Sequence, residues 1–118
     1  MTLSPPRPEA ALRVELRARF LRGLGNLARL ALLEELRGGE RCVGELVAAT
    51  GMGQSSVSAH LACLKTCGLV DSRQHWRHVY YRLAGPHVAH LLDEVDLVLA
   101  TMAARAASRA RAEREQRP

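Results

Sequence analysis

The 118-residue sequence predicts a mainly α domain with a single β-hairpin, and three observations carry that expectation. Apolar residues recur at three- and four-residue spacing through successive stretches, the mark of helices with one buried face. Glycines, singly or in pairs, close most of those stretches and supply helix ends. After Gly68 the period drops to two, as in a half-buried pair of strands.

Residues 1–8 include Pro5, Pro6 and Pro8, and are expected to form a flexible N-terminal arm without chemistry. From Glu9 onward Leu12, Leu16, Phe20 and Leu24 stand at four-residue intervals with arginines between them, which predicts a first helix ending at Gly23 to Gly25. Asn26 can cap a second helix over 27–37, apolar nearly all round and closed by Gly38-Gly39; this is the expected buried helix of the core. Residues 40–50 follow as a short helix with Val43, Leu46 and Val47 on one side, and Thr50-Gly51-Met52-Gly53 turns the chain into the next.

That next helix, 54–67, organises the rest. Val57, Leu61 and Leu64 share one face, whereas Ser55, Ser58, Ala59, Ala62 and Lys65 fall on the opposite one. A face of short, hydroxyl-bearing residues suits a helix that lies in a DNA major groove, where bulk is excluded and short donors and acceptors reach base edges. An ordinary amphipathic surface helix would show the same apolar stripe. With the preceding helix and the glycine turn it makes a helix-turn-helix, in which Gln54, Ser55, Ser56, Ser58, Ala59 and Lys65 are the expected DNA contacts.

Beyond Gly68, Leu69 to Arg73 and His78 to Leu83 alternate as strands around a polar tip, Gln74-His75-Trp76-Arg77. Its cations, Arg73 and Arg77 foremost, suit phosphates and the minor groove. Gly85-Pro86 then opens a long last helix with Val88, Leu91, Leu92, Val95, Val98, Leu99 and Met102 at helical spacing. So long a stripe in so small a chain needs a partner, and the expectation is a homodimer through the first and last helices, with two recognition helices about 34 Å apart. Residues 9–104 thus form one DNA-binding and dimerisation domain, a winged helix-turn-helix, and the arginine- and alanine-rich 105–118 are expected to fray.

Composition agrees. Lys and Arg number 17 against 12 Asp and Glu, a formal net charge of +5 that favours a polyanionic partner such as double-stranded operator DNA. No apolar run reaches the length of a membrane span and no signal peptide is evident, so a cytoplasmic protein is expected. Three cysteines fit reduced thiols or metal ligands better than structural disulfides. A phosphate-binding glycine loop, a nucleophile elbow and a carboxylate pair are all missing from the motifs, which argues against an enzyme and against an organic cofactor.

Three segments carry a resemblance to a known family: Cys42-Val43-Gly44-Glu45-Leu46, the helix from Gln54-Ser55-Ser56-Val57-Ser58 through His60-Leu61-Ala62-Cys63-Leu64-Lys65-Thr66-Cys67 to Gly68-Leu69-Val70, and the wing end Val79-Tyr80-Tyr81-Arg82-Leu83. Together they resemble the ArsR/SmtB family of metal-responsive repressors, and the pair Cys63 and Cys67 resembles its cadmium- and lead-sensing CmtR-type branch. The resemblance implies a dimeric repressor that leaves its operator when a soft metal, cadmium or lead rather than zinc, binds cysteine thiolates. The sequence departs from the family at three places. Asn26-Leu27-Ala28-Arg29 replaces the usual Asp-Pro-Thr-Arg, the wing glycine is replaced near Trp76, and the tail lacks the branch's third cysteine.

Cys63 and Cys67 are one helical turn apart, with Cβ atoms about 6 Å from each other, and two thiolates there could grip one soft cation. The alternative is that both are small apolar packers, as free cysteines commonly are. For a third ligand Cys42 and His60 are the candidates within the chain, and an exogenous thiol or carboxylate the candidate outside it. His87, His90, Asp93 and Glu94 lack the family's zinc spacing and are expected to be solvated. Two other readings keep the same fold: a repressor switched by thiol oxidation or persulfidation, and a dimeric interaction module without regulated DNA binding.

Overall fold

A computed structural model describes residues 8–117; the arm expected at 1–8 lies outside them apart from Pro8, which begins the first helix. The elements follow as α1 (Pro8–Leu24), α2 (Leu27–Leu36), β1 (Arg41–Cys42), α3 (Val43–Thr50), α4 (Gln54–Thr66), β2 (Val70–His75), β3 (His78–Leu83) and α5 (Pro86–Gln116). They form a winged helix-turn-helix. The chain divides into two compact units, one ending at Ala84 and one beginning at Gly85, where the sequence suggests a single domain over 9–104.

Local chemistry explains most boundaries in the first unit. The Asn26 side chain accepts a hydrogen bond from the Arg29 backbone N–H at 3.1 Å, capping α2 as expected. Gly51 adopts φ 74 at the end of α3 and donates to the Val47 carbonyl at 2.9 Å. At the end of α4, Gly68 takes φ 79, Leu69 N–H donates to Leu64 O at 2.9 Å, and Gly68 N–H donates to Lys65 O at 3.0 Å. These paired bonds are a Schellman cap, which only a residue free to enter the left-handed region closes cheaply.

The core of this unit is Leu32, Leu33, Leu46, Val57, Leu61, Leu64, Leu69 and Val70, each less than 2% exposed. The apolar face assigned to α4 is therefore buried in full. Helix α2 is less enclosed than its composition suggests. Its C-terminal leucines are buried, yet Leu27 at its start is 87% exposed.

Two corrections concern the sheet. Residues Arg41 and Cys42, expected inside a helix, form β1 and pair antiparallel with β3 at Arg41↔Tyr81 and Cys42↔Tyr80. So short a strand has no period of its own to read. The hairpin is also tighter than expected, because the strands run on to His75 and His78 and leave Trp76-Arg77 as a two-residue turn. Such turns call for positive φ, and Trp76 supplies it at φ 58 in place of glycine.

In the second unit α5 is a single helix of 31 residues, about 46 Å long. It continues to Gln116, past the point at which fraying is expected; alanine, arginine and glutamate are among the best helix formers, and that propensity carries the helix on. Val95, Val98, Leu99 and Met102 are exposed along it.

Candidate nucleic-acid interface and thiol pair

Gln54, Ser55, Ser56, Ser58, Ala59 and Lys65 are all exposed on α4, while Val57, Leu61 and Leu64 seat the helix from behind. Each of these residues is open to solvent. Gly53 begins the helix with no side-chain cap, so nothing bulky precedes the serines. Apart from Gln54 and Lys65, these are short side chains whose positions follow from the backbone alone.

The cations are less free. Lys65 Nζ donates to Ser72 Oγ at 2.7 Å, linking α4 to β2. Arg73 donates from Nε to both Glu40 carboxylate oxygens, at 2.8 and 2.9 Å, and from Nη2 to the same carboxylate. Its guanidinium also lies over the Tyr80 ring, 5.1 Å from the centroid. The Arg73 hydrogen bond holds the Glu40 carboxyl below its usual range, and Glu40 in turn pushes the arginine up. Arg77 is exposed in the turn next to Trp76, which is 84% exposed. Glu40 and Ser72 have no motif to announce them; Glu40 lies 33 residues before its partner.

Cys63 and Cys67 are half-buried, one turn apart at the C-terminal end of α4, with side chains close enough to interact. Cys67 is the C-cap residue, so the turn that ends the helix also presents the thiol. Burial pushes its thiol above the ordinary value of 9.0, the neighbouring Cys63 adds to the rise, and the Arg29 guanidinium opposes it. Arg29 Nη1 donates to Gly23 O at 2.9 Å, while its Nε is buried without a hydrogen-bond partner. Gly23 lies against the thiol, because a Cβ there would stand 3.1 Å from Cys67 Sγ. A groove of about 610 Å³ lined by Leu16, Arg17, Arg19, Phe20, Thr66 and Cys67 leads to the pair.

Neither candidate third ligand completes a cluster. Cys42 caps α3, with its N–H donating to Glu45 Oε1 at 3.1 Å, and sits in register with Tyr80 of the wing; His60 is half-buried on α4. Among the described residues no three His, Cys, Asp or Glu side chains stand together as a metal site needs. No helix of the described residues is long and apolar enough to cross a membrane.

Comparison with known proteins gives the same picture. A family model described as "Bacterial regulatory protein, arsR family" matches residues 27–72, from α2 into β2. The transcriptional regulator CmtR of Mycobacterium tuberculosis is 43% identical over 84 residues, covering 70% of this chain and 71% of that protein. The repressor SmtB of the same organism is 46% identical over 77 residues, covering 64% of this chain and 57% of that protein. The chain spans between 36% and 60% of the length of several such regulators. Among solved structures, the homodimeric winged helix-turn-helix domain of Mb0332 from Mycobacterium bovis superposes with a TM-score of 0.73 at 37% identity, covering 83% of this chain and 91% of that one. These relatives are regulators, not enzymes.

Proposed function

The chain belongs to the ArsR family of bacterial regulatory proteins, and we propose that it is a homodimeric repressor that leaves operator DNA when a soft metal engages Cys63 and Cys67. The observation that carries this reading is the thiol pair itself. Two half-buried cysteines stand one turn apart at the C-terminal end of the helix that carries the exposed Ser55 and Ser58.

Ser55, Ser58 and Ala59 would meet base edges, with Gln54, Ser56 and Lys65 at the margins and Arg77 of the wing toward phosphates. Dimerisation is supported by apolar residues left open along α1 (Leu12, Leu16, Leu21) and α5 (Val95, Val98, Leu99, Met102). CmtR- and SmtB-named relatives support a metal as inducer.

A thiophilic ion, cadmium or lead ahead of zinc, would supply metal–sulfur bonds stronger than the present contact between thiols. Two sulfurs fill only part of a coordination shell of about four, so the remaining donors come from a partner protomer or from solvent. Drawing the thiolates together moves the last turn of α4 relative to Gly23, against which Cys67 is packed. Coupling of about 3 kcal/mol would change operator affinity roughly 150-fold. Thiol oxidation is the weaker reading, because two cysteines at i and i+4 on one helix are poorly arranged for the torsion a disulfide requires.

Fluorescence anisotropy tests this on a labelled duplex from the DNA upstream of the protein's own gene, at fixed salt, titrated with cadmium, lead and zinc. Binding should be released at about one cadmium per protomer, and Cys63→Ser with Cys67→Ser should bind DNA normally without responding. Full release in that double variant would remove the assignment. Absence of salt-dependent duplex binding would leave an interaction module instead.

A further inference from the structure

We propose that Arg73 is a positioning residue, not a phosphate contact: with Glu40 and Tyr80 it forms a clamp that sets the wing against the helix-turn-helix. The inference rests on the DNA-binding reading above and revises which wing residue reaches DNA.

The need for a clamp follows from the sheet. The wing is joined to the segment between α2 and α3 by only two residue pairs, Arg41↔Tyr81 and Cys42↔Tyr80. Beyond the buried Val70 at its base and this short ladder, the outer half of the hairpin pairs only with itself. The clamp spans all three strands. Glu40 immediately precedes β1, Tyr80 lies on β3, and Arg73 lies on β2 directly across from Tyr80. One edge of the guanidinium grips the carboxylate through Nε and Nη2 and its face covers the Tyr80 ring. Both recognition modes of a planar cation are in use at once.

Its neighbour completes the argument. Consecutive strand residues face opposite sides of a sheet. Ser72 is held by Lys65 of α4 on one side, and Arg73 by Glu40 on the other. The hairpin is therefore braced from both faces about 10 Å below its tip. A phosphate approaching Arg73 would find its Nε–Nη2 edge already held by a carboxylate and only Nη1 left to share, and the Glu40–Arg73 pair carries no net charge with which to attract one. The wing arginines left for DNA are Arg77 in the turn and the exposed Arg82 on β3.

Exchanging the charges separates the two roles, since the Glu40→Arg, Arg73→Glu double variant keeps net charge constant. A clamp predicts that Arg73→Glu alone weakens duplex binding roughly tenfold, and that the exchange restores most of it with an unchanged salt dependence. A phosphate contact predicts that the exchange binds as poorly as Arg73→Glu and that the salt slope falls by about one; that result would overturn the proposal. Trp76, the protein's single tryptophan, reports on the clamp without DNA. Its fluorescence anisotropy in the free protein should drop in Arg73→Glu and recover in the exchange, and no drop in the single variant counts equally against the clamp. Should the wild type bind no duplex, the regulator reading falls together with the functional half of this proposal, while Trp76 still scores the clamp. Circular dichroism confirms that each variant is folded.

Discussion

Helix α4 and the wing are both expected to face DNA, yet they hold their residues there by different means. On α4 the serines and Ala59 need only a fixed backbone, and three fully buried residues, Val57, Leu61 and Leu64, provide it. In the wing the candidates are long cations, and ordering one costs up to about 2 kcal/mol of rotamer entropy. Arg73 and Lys65 are ordered by protein partners, Glu40 and Ser72. Short residues are placed by the core behind them; long ones take whatever polar partner the fold brings within reach.

Four changes would break or sharpen that contrast. Leu61→Ala should have the largest effect, since it leaves a cavity directly behind the serine face; a loss of about 3 kcal/mol in denaturant unfolding is expected. Ser58→Ala should weaken operator binding by about 1 kcal/mol with an unaltered melting temperature, because nothing in the core touches that face. A matching fall in stability would mean that the face is structural.

In the wing, Trp76→Gly removes a side chain from a left-handed position and should stabilise the protein by up to about 1 kcal/mol in thermal unfolding. A lower melting temperature would show that the indole is packed for stability after all. The smallest effect concerns Cys67. Its raised pKa means that the folded state holds the thiol proton more tightly than the unfolded chain does. That stabilisation is complete below the ordinary thiol range and is lost as pH rises through the raised value. The melting temperature of the wild type should therefore decline more steeply above pH 9.0 than that of Cys67→Ala, and parallel curves would contradict the assignment.

Much of α4 was legible because its signals are local. The stripe of Val57, Leu61 and Leu64 repeats with the helix, and Gly68 marks its end through the left-handed backbone conformation that glycine adopts more readily than any other residue. The same holds for the Asn26 cap. Strand β1 was not legible, because two residues have no period, and Arg41 with Cys42 pairs with residues far along the chain. The reach of the hairpin was legible in part: its strands alternate, but Trp76 in a glycine's position hid a two-residue turn. From residue 105 the chain continues α5 to Gln116, in keeping with the helix propensity of its alanines and arginines.

The candidate site divides along the same line. By itself the sequence determined which residues share a face, that Cys63 and Cys67 meet on one helical turn, and that a basic hairpin follows the helix, since all of these depend on backbone periods shorter than a strand or a few helical turns. The tertiary structure alone decided that Arg73 belongs to Glu40 and Tyr80, that Lys65 holds Ser72, that Gly23 lies against Cys67, and that Cys42 stands with the wing instead of the thiol pair. Each of these is a meeting of residues distant in the chain, and such meetings are set by how whole elements pack, which no local pattern encodes.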